Sequence, residues 1–337
     1  MTRPLTAPGP LLSDAGGGSW SVGARSETGY VRKANEDRMA WVRSPFGDIF
    51  IVSDGMGGYK GGARAAELTV ATLQTHLIGL SPLAADFMQQ VQQAFQAANR
   101  AVHSERHAND PNTREMGATG VAAIVCGSQF AVAHVGDSRV YHWRRGLPLL
   151  PRTRDHTRVQ GLVDAQVISA AEAERHPDNN LLERAIGHQP TVQADVSRWI
   201  DLRHGDRLLL CSDGLSGYVS DAEIEAILKR HGDPQRATDE LVECALAKGG
   251  EDNVTVQVAQ FNLPWRRRLG ALAWPALALV GLVTVLVFML YRPKSGPQAS
   301  ASAASAAPAA AGASAATSVP APASAAPPWE PQQRRGL

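Results

Sequence analysis

Carboxylates placed at the ends of apolar runs are the feature of this sequence best suited to do chemistry. Asp54 closes the run IFIVSD ahead of Gly55-Met56-Gly57-Gly58, and Asp213 closes LLLCSD ahead of Gly214. Asp137 follows AVAHVG, Asp252 precedes Asn253 and VTVQV, and Asn35-Glu36-Asp37 stands just before MAWV. A carboxylate at a strand end faces the rim of a sheet, where a rigid scaffold can aim several at one point. Hard divalent cations such as Mg²⁺ and Mn²⁺ take oxygen ligands of this kind, backbone carbonyls included, and glycine lets the backbone come close. Any single Asp-Gly is ordinarily a turn. The set argues for more, yet spacing alone leaves the turn reading and the metal reading both open.

The elements that must position these residues are short. DIFIVSD (48–54), GVAAIVC (120–126), FAVAHVG (130–136), RLLLCSD (207–213) and VTVQVA (254–259) read as strands bounded by turn residues. Helices are expected between them. Phe87, Val91, Phe95, Ala98 and Val102 form one apolar stripe on a helix near 83–106, and 65–77 and 221–231 are helical too, the latter capped by Ser220 or Asp221. Strands that arrive in pairs with short connections, as on either side of Gly127-Ser128, favour antiparallel hairpins over a doubly wound parallel sheet.

The rest of the chain is uneven. Lys and Arg number 33 against 32 Asp and Glu, so no basic field points to nucleic acid. Cys126, Cys211 and Cys244 are too few and too scattered for a disulfide framework or a zinc knuckle, and suit a reducing compartment. No cysteine is followed by arginine six positions on, which excludes a cysteine-based phosphatase, and no Gly-Lys-Ser/Thr follows the glycines of 55–62 to make a nucleotide loop. His103 and His107 are expected on a solvated helix face, His134 beside the carboxylate site, and His156 as a loop anchor. Residues 1–19 read as a flexible leader without an apolar stretch of signal-peptide length. Residues 20–263 form the working domain, and 292–337 an Ala/Ser/Pro-rich disordered tail. Between them 269–291 carry 23 residues without a charge, flanked by Arg266–Arg268 and by Arg292 and Lys294. At about 1.5 Å per residue they reach roughly 34 Å, enough for one membrane span.

Read in order, RKANEDR (32–38), VSDGMGGYKGG (52–62), MGATGVAA (116–123), HVGDSRVY (134–141), RDHT (154–157), ERAIG (183–187), LLLCSDGL (208–215) and GEDNVTV (250–256) resemble the motif series of the metal-dependent, type 2C serine/threonine protein phosphatases in their bacterial form. The ordered set covers about 230 residues. The resemblance implies an α+β fold, a four-layer α-β-β-α sandwich of two mixed but mainly antiparallel sheets flanked by helices. It also implies a site for two Mn²⁺ or Mg²⁺ ions, with a weaker third. By that resemblance Asp54 bridges both metals and the Gly55 carbonyl ligates one. Asp213 and Asp252 hold the first, Glu36 and Asp37 serve the second directly or through water, and Asp137 matches the ligand of the third. Arg32 matches the arginine that grips the substrate phosphate. Two cations roughly 3.5–4 Å apart lower the pKa of a water between them and screen the phosphate, so that attack on phosphorus needs no covalent enzyme intermediate. An arginine fork fits phosphate oxygens bidentately.

One position departs from many eukaryotic members, which carry a histidine two residues after the bridging aspartate; here it is Met56, which has no proton to give. A metal-bound water is then the first expectation for the general acid, with an Asp or His elsewhere as the alternative. The stretch from about His156 to Leu182 is expected to be a flap beside the site. The function implied is hydrolysis of phosphoserine and phosphothreonine in proteins, the substrates of a bacterial Ser/Thr kinase. The alternatives are a silent phosphopeptide-binding scaffold and a phosphatase of small phosphometabolites. The expected location is the inner membrane, single-pass, with the catalytic domain cytoplasmic and the tail outside.

Overall fold

The structure is a computed structural model that describes residues 18–57, 61–106, 113–173, 175–263, 279, 281–287 and 289–291. Two units separate by their contacts, with the division at Ala276. In chain order the first begins β1 (Ser19–Glu27), β2 (Arg38–Ser44), β3 (Gly47–Ser53), β4 (Gly55–Met56), α1 (Gly61–Ile78) and α2 (Phe87–Arg106). It continues with β5 (Gly117–Ala118), β6 (Gly120–Cys126), β7 (Gln129–Val135), β8 (Arg139–Trp143), β9 (Leu150–Pro151), α3 (Arg158–Asp164) and α4 (Ala170–Ala173). It closes with β10 (Asp195–Val196), β11 (Ile200–Asp201), β12 (Arg207–Cys211), α5 (Asp213–Ser216), α6 (Asp221–Arg230), α7 (Pro234–Ala247) and β13 (Val254–Asn262).

The central strands carry apolar runs because both of their faces are covered. In β3, Ile49 and Ile51 face the helix pair α1/α2, while Phe50 and Val52 face the second sheet. β6 and β7 divide in the same way, with Ala122 and Ile124 on the helix side and Val121, Ala123 and Val132 between the sheets. In the second sheet Leu208 and Leu210 point to that shared core, whereas Leu209 and Val256 pack beneath α6 and α7. Three cores in a stack require four layers: α1/α2, the sheet β10-β7-β6-β3-β2 with β11 also on β7, the sheet β1-β13-β12-β8-β9, and α6/α7. Every pairing among the named strands is antiparallel, so the parallel admixture that the resemblance allowed is absent from the described residues.

The helices follow their sequence signals. The α2 stripe Phe87, Val91, Phe95, Ala98 and Val102 is buried, and α6 starts on a capping box of Ser220 and Glu223. His103 is not merely solvated: its Nδ1 lies 3.0 Å from the Gly187 carbonyl. His107 lies outside the described residues.

In the second unit, residues 281–287 are helical, with Leu282 64 % and Leu286 58 % exposed. Most of the expected span 269–291, with the leader to residue 17 and the tail, lies outside the described residues. Among the described residues no helix is long and apolar enough to cross a membrane.

Candidate active site

Five chain segments meet at one end of the sandwich: the loop from β1 to β2, the junction of β3 and β4, the β7–β8 turn, the start of α5, and the loop entering β13. Together they enclose a cleft of about 330 Å³ whose walls include Arg32, Glu36, Asp54, Gly55, Asp137, Asp213 and Asp252. The second wall comes from Met56 and Thr119, from Asn180–Leu182 of the flap expected beside the site, and from His188, which the sequence reading did not single out.

Asp54 and Glu36 are pinned through their backbones. The Asp54 N–H donates to Thr119 Oγ1 at 2.9 Å and the Thr119 N–H returns to the Asp54 carbonyl at 2.8 Å. The same Thr119 hydroxyl lies 2.7 Å from Ser138 Oγ, tying the Asp54 strand to the turn that carries Asp137. Asn253 is the corresponding hub across the cleft. Its amide donates to the carbonyls of Thr28 and Ala34 at 2.9 and 3.0 Å, and its oxygen accepts from the Glu36 N–H at 2.8 Å. Asp252 Oδ1 accepts from the Asn253 N–H at 2.8 Å. Gly55 must be glycine: a Cβ there would sit 2.0 Å from the Gly62 carbonyl oxygen and 2.8 Å from that of Glu36.

One sequence expectation is corrected in detail, and one residue is placed outside the cleft lining. Asp213 does not end a strand: β12 stops at Cys211, and Asp213 opens α5. Asp37 does not line the cleft; it is 3 % exposed and turns inward, where Ser212 Oγ donates to its Oδ2 at 2.7 Å. Glu36 lines the cleft, while the next residue, Asp37, is turned to Ser212 behind it. Arg32, half exposed, donates through Nη2 to Asp252 Oδ2 at 2.7 Å. The histidines left in doubt have structural partners: His134 Nε2 lies 2.8 Å from the Arg154 carbonyl, and His156 Nδ1 accepts from the Gly136 N–H at 3.1 Å.

The electrostatics are those of a site made for cations. Burial, and then the mutual repulsion of neighbouring carboxylates, raises the carboxyls of Asp54, Asp137 and Asp213 above the usual range. Burial also raises Glu36, and it pushes Asp37 to about 7. Glu36 Oε1, Asp37 Oδ1 and Asp213 Oδ1 are buried without a hydrogen-bond partner. Unpartnered buried acceptors of one charge sign cost several kcal/mol, and hard divalent cations are the partners that oxygen donors of this kind accept. The residues present fit the metal pair.

A second group, His134, His156 and Asp195, brings its ligating atoms within 4.8 Å of one another, away from the cleft wall. Its hydrogen bonds give it another task. Because His156 Nδ1 accepts a hydrogen bond from the Gly136 N–H, its neutral ring carries hydrogen on Nε2, which faces Asp195 Oδ2 at 3.4 Å. Asp195 is already paired with Arg184 at 2.7 Å. The trio braces the turn that leads into Asp137.

This sandwich and its carboxylate rim have counterparts among known proteins. The chain belongs to the protein phosphatase 2C family, whose profile matches residues 30–249. It is 40 % identical over 242 residues to the serine/threonine protein phosphatase PstP of Mycobacterium tuberculosis, covering 70 % of this chain and 44 % of that protein. It thus spans less than half the length of that relative. It is 35 % identical over 249 residues to the serine/threonine phosphatase stp of Listeria innocua, covering 72 % of this chain and 97 % of that protein. A crystal structure of the PstP catalytic domain in complex with two manganese ions superposes with a TM-score of 0.62 at 36 % identity, covering 72 % of this chain and 98 % of that one.

Proposed function

We propose that this protein is a metal-dependent phosphoprotein phosphatase that hydrolyses phosphoserine and phosphothreonine esters. The observation that carries the reading is the convergence of buried, partnerless carboxylate oxygens on a cleft whose rim holds one arginine. The named activity of the mycobacterial and Listeria relatives and the two manganese ions of the PstP structure support it. Asp54 would bridge two Mn²⁺ or Mg²⁺ ions, with Asp213 and Asp252 on the first, the Gly55 carbonyl and Glu36 on the second, and Asp137 toward a third. Asp37 would act from behind, through its bond to Ser212 and its charge beside Asp213. When bound, such ions lower the pKa of a coordinated water and screen the phosphate charge.

The chain's own residues do the rest. Asp54 is fixed by Thr119, so the ligand set closes without reorganisation. Arg32 can swing its fork from Asp252 to the phosphate, where two parallel bonds would set the phosphorus in line. Arg32→Ala is therefore expected to raise KM about 10- to 100-fold, the worth of one or two charge-assisted hydrogen bonds. Steady-state kinetics on a phosphothreonine peptide check this, with calorimetry expected to find metal affinity nearly unchanged. A loss confined to kcat would remove Arg32 from the phosphate.

The assay that tests the function is phosphate release by the metal-loaded chain. A phosphothreonine peptide should be hydrolysed far faster than free phosphometabolites, and chelation should abolish the activity. Preference for the metabolites, or full activity after exhaustive metal removal, would overturn the reading.

The apolar run 269–291 would hold the protein in the inner membrane in a single pass, with the catalytic domain on the cytoplasmic side, where kinases make its phosphoprotein substrates. The exposed apolar side chains of 281–287 support this, as does the want of any polar face along the run. A cytoplasm-active reporter fused after Leu263 and a periplasm-active one fused after Leu337 should both function; reversed signals would refute the topology.

A further inference from the structure

Breaking a serine or threonine phosphoester leaves an alkoxide, a poor leaving group unless a proton reaches it as the bond breaks. Few groups on the cleft wall can supply one. Arg32 keeps its protons throughout the physiological range. The Thr119 hydroxyl is already committed to the Asp54 N–H and to Ser138. The carboxylates are the oxygen donors a metal pair requires, and Met56 has no proton to give. Among the described residues one imidazole remains, His188, which lines the same cleft.

Its placement is specific. Gly117 is the ladder partner of Met56, across the two-stranded β4–β5 pair. Directly opposed residues in such a pair present their side chains to the same face. A Cβ on Gly117 would fall 2.6 Å from His188 Nε2 and 2.7 Å from its Cδ2. The ring therefore occupies the space that a side chain at 117 would fill, beside Met56 and one residue from Gly55. Gly117 is what admits it. Among the described residues no hydrogen bond is recorded to either ring nitrogen, and the residue is open to the cleft. β4 and β5 present no titratable side chain to it. From α2 come Arg106, whose Nη1 approaches the His188 carbonyl at 3.5 Å, and His103, bonded to the Gly187 carbonyl. Across the cleft stand Asp54 and the other carboxylates. Burial, then Arg106, moves the imidazole below its ordinary value, so the imidazolium is the minor form at neutral pH and a stronger acid when it forms.

We propose that His188 is the general acid of the phosphatase reaction, a role that rests on the phosphatase reading above. The oxygen of the attacking water forms its bond to phosphorus as the bond from phosphorus to the serine or threonine oxygen breaks. The electron pair of the broken bond stays on that oxygen, and the imidazolium proton joins it there. The products are the free hydroxyl and hydrogen phosphate; the proton that the water released restores the imidazolium through solvent. A histidine brought in by a separate loop thus serves where Met56 cannot.

The test compares leaving groups, using full-length metal-loaded protein and two substrates, a phosphothreonine peptide and p-nitrophenyl phosphate. The nitrophenolate departs without a proton, so only the peptide reaction needs an acid. His188→Gln is expected to lower kcat on the peptide by about 10²- to 10⁴-fold and leave the aryl phosphate within about threefold of wild type. His188→Ala should behave the same way, with Mn²⁺ affinity and circular dichroism unchanged for both variants. Equal losses on the two substrates would mean that His188 only shapes the cleft, and no loss on either would mean that it takes no part. Both results overturn the proposal while the wild type's own activity upholds the phosphatase reading. A wild type inactive on both substrates would overturn that reading and, with it, the role of His188.

Discussion

Asp54→Asn is expected to lower turnover on a phosphothreonine peptide by about 10³-fold or more. The residue stands at the centre of the cleft, held through its N–H and carbonyl by Thr119, with Asp37, Asp213 and Asp137 all bearing on its charge. A bridging carboxylate is the one ligand that two cations share, so removing its charge weakens both positions at once. Lewis-acid stabilisation by bound metal is worth several kcal/mol, and each 1.4 kcal/mol is a factor of ten in rate. Asparagine keeps the shape, so Thr119 and Ser138 still hold the loop and the circular dichroism should not change. Calorimetry with Mn²⁺ should find the tighter binding event lost. Asp213→Asn and Asp252→Asn, each serving one cation, should do less damage than Asp54→Asn. Near-normal turnover by Asp54→Asn would refute the bridging role.

How much of this was legible in the sequence depended on how far apart the deciding residues lie. The strands at 47–53, 120–126 and 207–211 could be read because burial on both faces gives each a continuous apolar run, a local property. α7 escaped notice because only Leu241 and Val242 of its buried face are large apolar side chains; the others are Pro234, Ala237, Thr238 and Ala245. The cleft carboxylates were visible through their glycines and through an ordered motif series. Their supports were not. Asn253 acts on Glu36 from 217 positions away, and Ser212 on Asp37 from 175, so neither role has a local signature. His188 is hidden for the same reason. Its nearness to Met56 arises through the ladder between β4 and β5 and a glycine at 117, which no pattern around residue 188 records.

The same crowding that makes the site fit cations should make the metal-free protein lose stability as pH rises. Unfolded, the carboxyls titrate near 4; folded and without metal, those of Glu36, Asp37, Asp54, Asp137 and Asp213 all titrate higher, Asp37 at about 7. Between about pH 4 and 7 the native state therefore binds more protons than the unfolded state, and stability falls with increasing pH across that window. Asp37 alone, once ionised, costs on the order of 4 kcal/mol, equivalent to a drop in Tm on the order of 10 °C for a domain this size. Asp206 works in the opposite sense at the acid end. Despite its burial, Arg144 and His142 hold it down to about 2, so its contribution is present above about pH 4 and lost as pH falls toward 2. The metal-free protein should thus melt highest near pH 4 and progressively lower from pH 5 toward pH 8. Mn²⁺ binds only the folded state, so the Tm increment it produces should grow over the same interval. Asp54→Asn should flatten both trends, raising the metal-free Tm at pH 8 while abolishing most of the gain from Mn²⁺, the mark of a site whose charges destabilise the fold until cations arrive. Calorimetric melts from pH 5 to 8, with chelator and with Mn²⁺, decide it: a metal-free Tm that stays level or climbs with pH would show that these carboxylates are not held ionised against one another.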